Sequence, residues 1–157
     1  MKSKDKRFYQ GTYKPVFPAK YIGSKFPYYR SGLELKVFKI LDHNPNVVKW
    51  GSEAAVIPYV SPVDKKIHNY FVDFIILLKD KNNNDLKLLV EIKPYNQTIP
   101  PKVSNKKKKS TILYENIQYN INQAKWLAAK EWALRKGFIF LVLTEKDLFS
   151  TLSLSKV

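Results

Sequence analysis

The sequence predicts a mixed α/β domain in which a central sheet, built around one β-hairpin, lies between two helices. Three observations carry that expectation. Residues 71–78 and 86–92 are apolar at nearly every position and do not alternate, the pattern of strands covered on both faces. The residues between them, 79–85, are rich in Asn and Asp, which tolerate left-handed backbone and mark a hairpin loop. Before and after this hairpin the apolar residues recur with a helical period, over residues 31–42 and again over 111–136.

The first 30 residues hold eight basic residues, one acidic residue and three prolines, with no helical or strand period, and read as an extended basic arm. Lys2, Lys4, Lys6, Arg7 and Lys14 are placed to follow a phosphate backbone, while Phe8, Tyr9, Tyr13 and Phe17 either pack on the domain or stack on bases. Ser31 opens the first helix, which runs to about Asp42 with Leu33, Val37, Ile40 and Leu41 as its core stripe. Asn44-Pro45 ends it, and His43 is placed to satisfy its terminal carbonyls. Two short strands, 47–50 and 54–60, precede the hairpin. After Pro94, the pair Pro100-Pro101 excludes regular structure, and Lys106, Lys107, Lys108 and Lys109 then present four like charges. Such runs are ordinarily solvated, but this one follows the hairpin closely enough to clamp phosphate. A long helix over 111–136, ended by Gly137, carries Leu113, Ile117, Ala124, Ala128 and Trp132 on its core face, with Asn116, Asn120 and Gln123 as an amide stripe beside it. Residues 138–143 read as a last strand and 150–157 as a frayed tail, which leaves 31–149 as the domain.

Charges inside the apolar hairpin need a reason. If Lys79 opposes Asp85 across a five-residue loop, Asp73 directly opposes Glu91, with Cβ atoms roughly 4.5 to 5.5 Å apart. Two such carboxylates repel, and burying them is costly unless a cation shares the site. The carbonyl of Ile92 adds a third hard oxygen, a donor set that suits Mg²⁺, a cation that keeps several waters; Mn²⁺ is expected to substitute. Lys93 falls on the same face as Glu91, about 6.6 to 6.8 Å further along, where it can hold an attacking water or a phosphate oxygen. For an arbitrary E-x-K the alternative is an exposed ion pair, with Asp73 capping a strand. Glu34, three residues after Ser31, either closes a capping box or completes the acidic cluster.

Asp73, about eighteen residues and then Glu91-Ile92-Lys93, set across a hairpin of apolar strands, resembles the PD-(D/E)xK nuclease motif, with Val72 in place of the motif's proline. Further blocks follow in order: Tyr29-Arg30-Ser31 with Glu34, Asn44-Pro45-Asn46-Val47, Trp50 with Ser52-Glu53, Ile57-Pro58-Tyr59, Ser61-Pro62-Val63-Asp64, His68 with Tyr70, Asp73-Phe74, Glu91-Ile92-Lys93-Pro94 and Asn122-Gln123-Ala124-Lys125-Trp126. On these the chain resembles the head completion nucleases of contractile-tailed phages over nearly its whole length. A looser similarity is to the nuclease subunit of heteromeric cut-and-paste transposases. The resemblance implies a restriction-endonuclease-like core, Mg²⁺-dependent DNA hydrolysis, and a step late in head assembly on the terminus of packaged DNA before tail attachment. It implies Asp73, Glu91 and Glu34 at the metal, Lys93 at the phosphate, Gln123 orienting a water or the scissile phosphate, and phage head or portal proteins as partners. It also raises His68, which regular pairing would put on the opposite face from Asp73. Arg30 and Lys125 join the candidate DNA contacts. Two alternatives stay open: a non-catalytic DNA-binding virion protein on a nuclease scaffold, and a transposase-type or junction-resolving endonuclease.

Composition agrees. Lys plus Arg number 28 against 13 Asp plus Glu, a formal charge of +15, the footprint of a protein that binds a polyanion. Nucleic acid is the first candidate and an anionic membrane surface the second. No apolar run reaches a membrane-spanning length of about 18 residues and no signal peptide is evident, which points to the host cytoplasm, with virion association open. The absence of Cys excludes disulfides and thiolate metal sites.

Overall fold

The computed structural model describes residues 9–147, so Lys2, Lys4, Lys6, Arg7, Phe8 and the tail 150–157 lie outside the described residues. Four strands form the main sheet in the order β3-β4-β5-β6: β3 Val47–Val60, β4 Ile67–Lys79, β5 Asp85–Ile92 and β6 Ile139–Leu143. A second, two-stranded sheet pairs β1 Gly11–Thr12 with β2 Tyr28–Tyr29. The helices are α1 Gly32–His43 and α2 Lys109–Lys136. Strands β3, β4 and β5 run antiparallel through hairpins, whereas β6 joins β5 in parallel. A parallel neighbour requires a crossover, and α2 supplies it.

The two apolar strands are indeed the central ones. Each of their faces meets a helix. On one face Val37, Phe38 and Leu41 of α1 pack with Trp50, Phe74, Ile76 and Val90; on the other Trp126, Ala129 and Ala133 of α2 pack with Ile57, Val72, Leu89 and Phe140. The alanines let α2 approach the sheet closely. The connecting loop is built as its composition requires: Asp80 Oδ1 accepts the amide N–H groups of Asn82 and Asn84, each at 2.8 Å, and Asn83 adopts a left-handed φ of 61°. Lys79 opposes Asp85, and the register expected for the hairpin holds along the ladder as far as Phe74 opposite Val90.

Three local expectations change. The segments 47–50 and 54–60 are one strand, because residues 51–53 do not interrupt pairing with β4. Between the pairs Ser52–Phe74 and Ala55–Val72 two residues, Glu53 and Ala54, oppose the single residue Asp73, a β-bulge with Glu53 at φ 52°. The helix α2 begins at Lys109, so Lys108 and Lys109 belong to its first turn and cap. Its buried stripe is Asn122, Trp126, Ala129 and Ala133, with Ala124, Ala128 and Trp132 packed at the flank, while Leu113 is exposed because the N-terminal part of α2 extends past the sheet. Gly137 ends the helix in the left-handed conformation, φ 76°, as expected.

The segment after residue 9 is held to the domain by one buried carboxylate. Asp42 accepts the Tyr13 hydroxyl at 2.6 Å and the amides of Val16 and Phe17 at 2.7 and 3.1 Å. Tyr13 therefore packs on the core; Tyr9 and Phe17 remain largely exposed, the latter with its ring edge-on to His43. His43 Nδ1 donates to the Lys39 carbonyl at 2.9 Å, as its place at the helix end predicts. Among the described residues no helix is long and apolar enough to cross a membrane.

Candidate active site

Beyond Phe74 and Val90 the ladder between β4 and β5 opens, and the next residues on each strand are Asp73 and Glu91. The bulge in β3 lies opposite Asp73 at this same level of the sheet. Phe74 and Ile76 face α1, whereas Val72 and Tyr70 face α2, so the alternation of β4 breaks at Asp73. This half-buried residue turns its carboxylate along the strand end, where Oδ2 accepts the backbone N–H of Ile92 at 2.8 Å. Glu91 is buried and held from two sides: its Oε2 accepts the Tyr70 hydroxyl at 2.7 Å, and its Oε1 lies 3.6 Å from Lys93 Nζ. The Lys93 amide is fixed by a 2.9 Å bond to the Leu143 carbonyl, so β6 positions the lysine that follows β5.

The two carboxylates burden each other. Burial, and after it the charge of Glu91, push the Asp73 carboxyl up to about 8, with a smaller contribution from the charge of Glu34. Burial and the same Glu91 charge push the Tyr70 hydroxyl far above its ordinary range, so it stays a hydrogen-bond donor. Lys125 comes from α2 on the same face, its Nζ 5.5 Å from the Tyr70 ring centroid and 5.8 Å from that of Tyr59. Burial, then the neighbouring Lys93 charge, lower its ammonium. A pair of cations thus faces a pair of carboxylates that cannot both ionise cheaply. Those oxygens with the adjoining backbone fit a hard divalent cation, which needs only one or two carboxylates when water and phosphate complete its shell. Among the described residues no cluster of three or more His, Asp or Glu side chains is gathered to hold an ion.

The other candidates scatter around this centre. Glu34 acts as a cap: its amide donates to Ser31 Oγ at 3.1 Å, and its Oε2 accepts the Arg30 amide at 2.8 Å, one residue before the partner of a standard capping box. Its charge still reaches Asp73. Arg30 pairs with Glu53 of the bulge at 2.7 Å. Gln123 is exposed and lines a cavity of about 380 Å³ with Trp126, Thr144 and Lys146. His68 is turned outward to Asp64, 2.8 Å away. Lys14, Lys106, Lys108 and Lys109 are exposed, whereas Lys107 turns back to Glu115 at 2.8 Å and to the Lys102 carbonyl at 3.3 Å. Two groups at the centre escaped the sequence reading as site residues. Tyr70 stood in the matched blocks, but only the bulge brings it onto the Glu91 face. Asn122, a neighbour of Gln123, points inward because the helix presents residues 122 and 126 to the sheet rather than 123.

A bulged hairpin carrying paired carboxylates and a lysine, backed by two helices, is an endonuclease architecture, and the match to known proteins agrees: residues 44–145 fit the family described as TnsA-like endonuclease N terminal, and the chain belongs to that endonuclease family. It is more particularly similar to the head completion nuclease of Enterobacteria phage T4, with 37% identity over 144 residues that cover 89% of this chain and 93% of the relative. No solved structure matches the chain.

Proposed function

We propose that the chain is a metal-dependent DNA endonuclease acting in phage head completion, on the terminus of packaged DNA. The observation that carries this reading is the buried Glu91 beside the raised Asp73 carboxyl, with Lys93 3.6 Å from Glu91. A protein using this fold only as scaffold gains by replacing such a pair with apolar side chains. Asp73, Glu91 and the Ile92 carbonyl would hold Mg²⁺ or Mn²⁺, and Glu34 would serve a second ion or a bridging water. Bound there, the metal supplies Lewis-acid charge at the phosphate. The chain's own groups do the rest: Tyr70 fixes the direction of the Glu91 carboxylate, Asp73 is aimed by the Ile92 amide, and Lys93 and Lys125 set positive charge where phosphorane charge develops. The relative's name, head completion nuclease, is what ties this reading to head completion; phage head or portal proteins would then be its partners.

A cleavage assay on flapped, branched and linear DNA tests the reading. Hydrolysis is expected with Mg²⁺ or Mn²⁺ and none with EDTA. Equal turnover in EDTA overturns the metal dependence, and DNA binding with no cleavage under any divalent cation overturns the nuclease reading in favour of the scaffold alternative.

A further inference from the structure

A cavity of about 670 Å³ opens directly beyond Lys93 and Lys125. Its floor is α2 and its roof is the loop after β5, held down by the Lys107–Glu115 ion pair and the Lys107 bond to the Lys102 carbonyl. Its lining is neither apolar nor uniformly basic. Tyr95 and Tyr119 present rings, Asn122 and Gln118 present amides, and the two lysines mark the end nearest the carboxylates. Tyr95 also lines the smaller cavity, where Lys146 Nζ covers its ring at 3.5 Å from the centroid and so holds it in place. Asn122 is only 9% exposed and belongs to the lining of this cavity.

We propose that this cavity takes one unpaired nucleotide of the strand being cut. The inference rests on the nuclease reading of the adjacent carboxylates and names its substrate class: DNA with a single-stranded end or flap. Volume favours a single unpaired unit, because about 670 Å³ lies in the range that encloses a small-molecule-sized group. Chemistry agrees with volume. Tyrosine rings stack on a base of any sequence, an amide pairs with a base edge through donor and acceptor together, and ammonium groups take the phosphate. The order along the cavity also suits a nucleotide chain: the phosphate reaches Lys93 and Lys125 at the catalytic end, and its base lies outward against Tyr119 and Asn122.

The test is binding in EDTA, where cleavage does not interfere. A fluorescein-labelled five-nucleotide deoxythymidine oligomer and a blunt 20-base-pair duplex are titrated against the whole chain and against the variants Tyr119→Leu, Tyr119→Phe and Asn122→Leu, with melting curves for each. The loss of one base–aromatic stack, about 1 to 3 kcal/mol, converts to a roughly 5- to 150-fold higher Kd for the oligomer in Tyr119→Leu. Tyr119→Phe is expected to keep wild-type affinity, Asn122→Leu to lose affinity for the oligomer, and duplex affinity to stay within about twofold throughout. In Mg²⁺ the wild type is expected to cut a flapped duplex faster than a blunt one, and Asn122→Leu to narrow that ratio. Equal losses on oligomer and duplex, or none on the oligomer in folded variants, overturn the proposal. Failure of the nuclease reading shows separately, as absence of cleavage in a wild type whose oligomer binding still depends on Tyr119.

Discussion

At the scale of single residues, the catalytic role proposed for the carboxylate pair is set against its cost in stability. Asp73 has its folded-state pKa raised to about 8, against about 3.9 for an unfolded aspartate. A raised folded value means that the stabilising contribution is complete below the unfolded pKa and is lost as pH rises toward the folded one. Asp73→Asn keeps the oxygen that accepts the Ile92 amide and removes the charge. In EDTA at pH 8 that variant should melt above the wild type, by about 2 to 8 °C for a chain of this size, and the gap should close toward pH 4. Its cleavage should fall more than about 10²-fold with DNA binding nearly intact, since the basic surface and not the carboxylate supplies affinity. A variant that melts lower at pH 8 and still cuts DNA contradicts both halves. Tyr70→Phe probes the other carboxylate. Without the 2.7 Å bond Glu91 loses its aim, so kcat should drop, and stability by about 1 to 3 kcal/mol, with KM for DNA little changed; a full kcat would show that Lys93 alone orients Glu91.

At the scale of elements, α1 tests whether a cap can also serve chemistry. Glu34 receives the Arg30 amide at 2.8 Å and faces Asp73 through charge. Glutamine can accept the same amide but binds a hard cation poorly. Glu34→Gln should therefore keep the melting temperature and lose activity if the carboxylate serves the metal, whereas Ser31→Ala should cost about 1 kcal/mol of stability and leave kcat unchanged. Unaltered cleavage in Glu34→Gln assigns the residue to capping alone. The bulge in β3 is the second device of this scale. Two residues against one at Asp73 bend the β3–β4 ribbon, so that its far half packs on α2 and delivers Tyr70 to Glu91.

At the scale of the whole molecule, the charge of +15 suits a protein that meets a polyanion, and salt dependence tests whether the basic loop takes part. Because Lys107 is engaged by Glu115, the lysines of the run expected to meet phosphate are Lys106, Lys108 and Lys109. The triple Lys→Gln variant should reduce the log–log salt slope of duplex binding by roughly 1 to 3 units, about 0.9 for each phosphate left without its lysine, with the rate at saturating DNA unchanged. An unchanged slope makes the run a solvated helix cap. Asp42 joins the N-terminal segment to the same body. Burial acts to raise its carboxyl, but the Tyr13 hydroxyl and the Val16 and Phe17 amides outweigh that and hold it below the usual range. A depressed folded value contributes stability above the unfolded pKa of about 3.9 and loses it as pH falls through the folded one. Asp42→Asn should therefore be less stable than wild type at pH 7 by about 1 to 3 kcal/mol, with the difference fading below about pH 3 in chemical denaturation.

Much of this was legible in the residues themselves. Non-alternating apolar segments read as central strands, the Asn/Asp loop as a hairpin, and the loop's length set the register that holds to Phe74 opposite Val90, one residue short of the direct Asp73–Glu91 pairing it predicted, because side-chain register follows from counting only while the ladder stays regular. Gly137 and Asn44-Pro45 marked helix ends for reasons of local sterics. What local pattern could not supply was rotation and bending. Which face of α2 meets the sheet depends on how close Ala129 and Ala133 let it come, and that put Asn122 rather than Gln123 on the cavity floor. The bulge at Glu53 has no glycine to announce it, yet it alone turns Tyr70 toward Glu91. Lys107 looked like its three neighbours until the fold brought Glu115 beside it. Composition, spacing and register are properties of the chain; the direction in which a charged side chain points is decided by what the packed elements leave it to face.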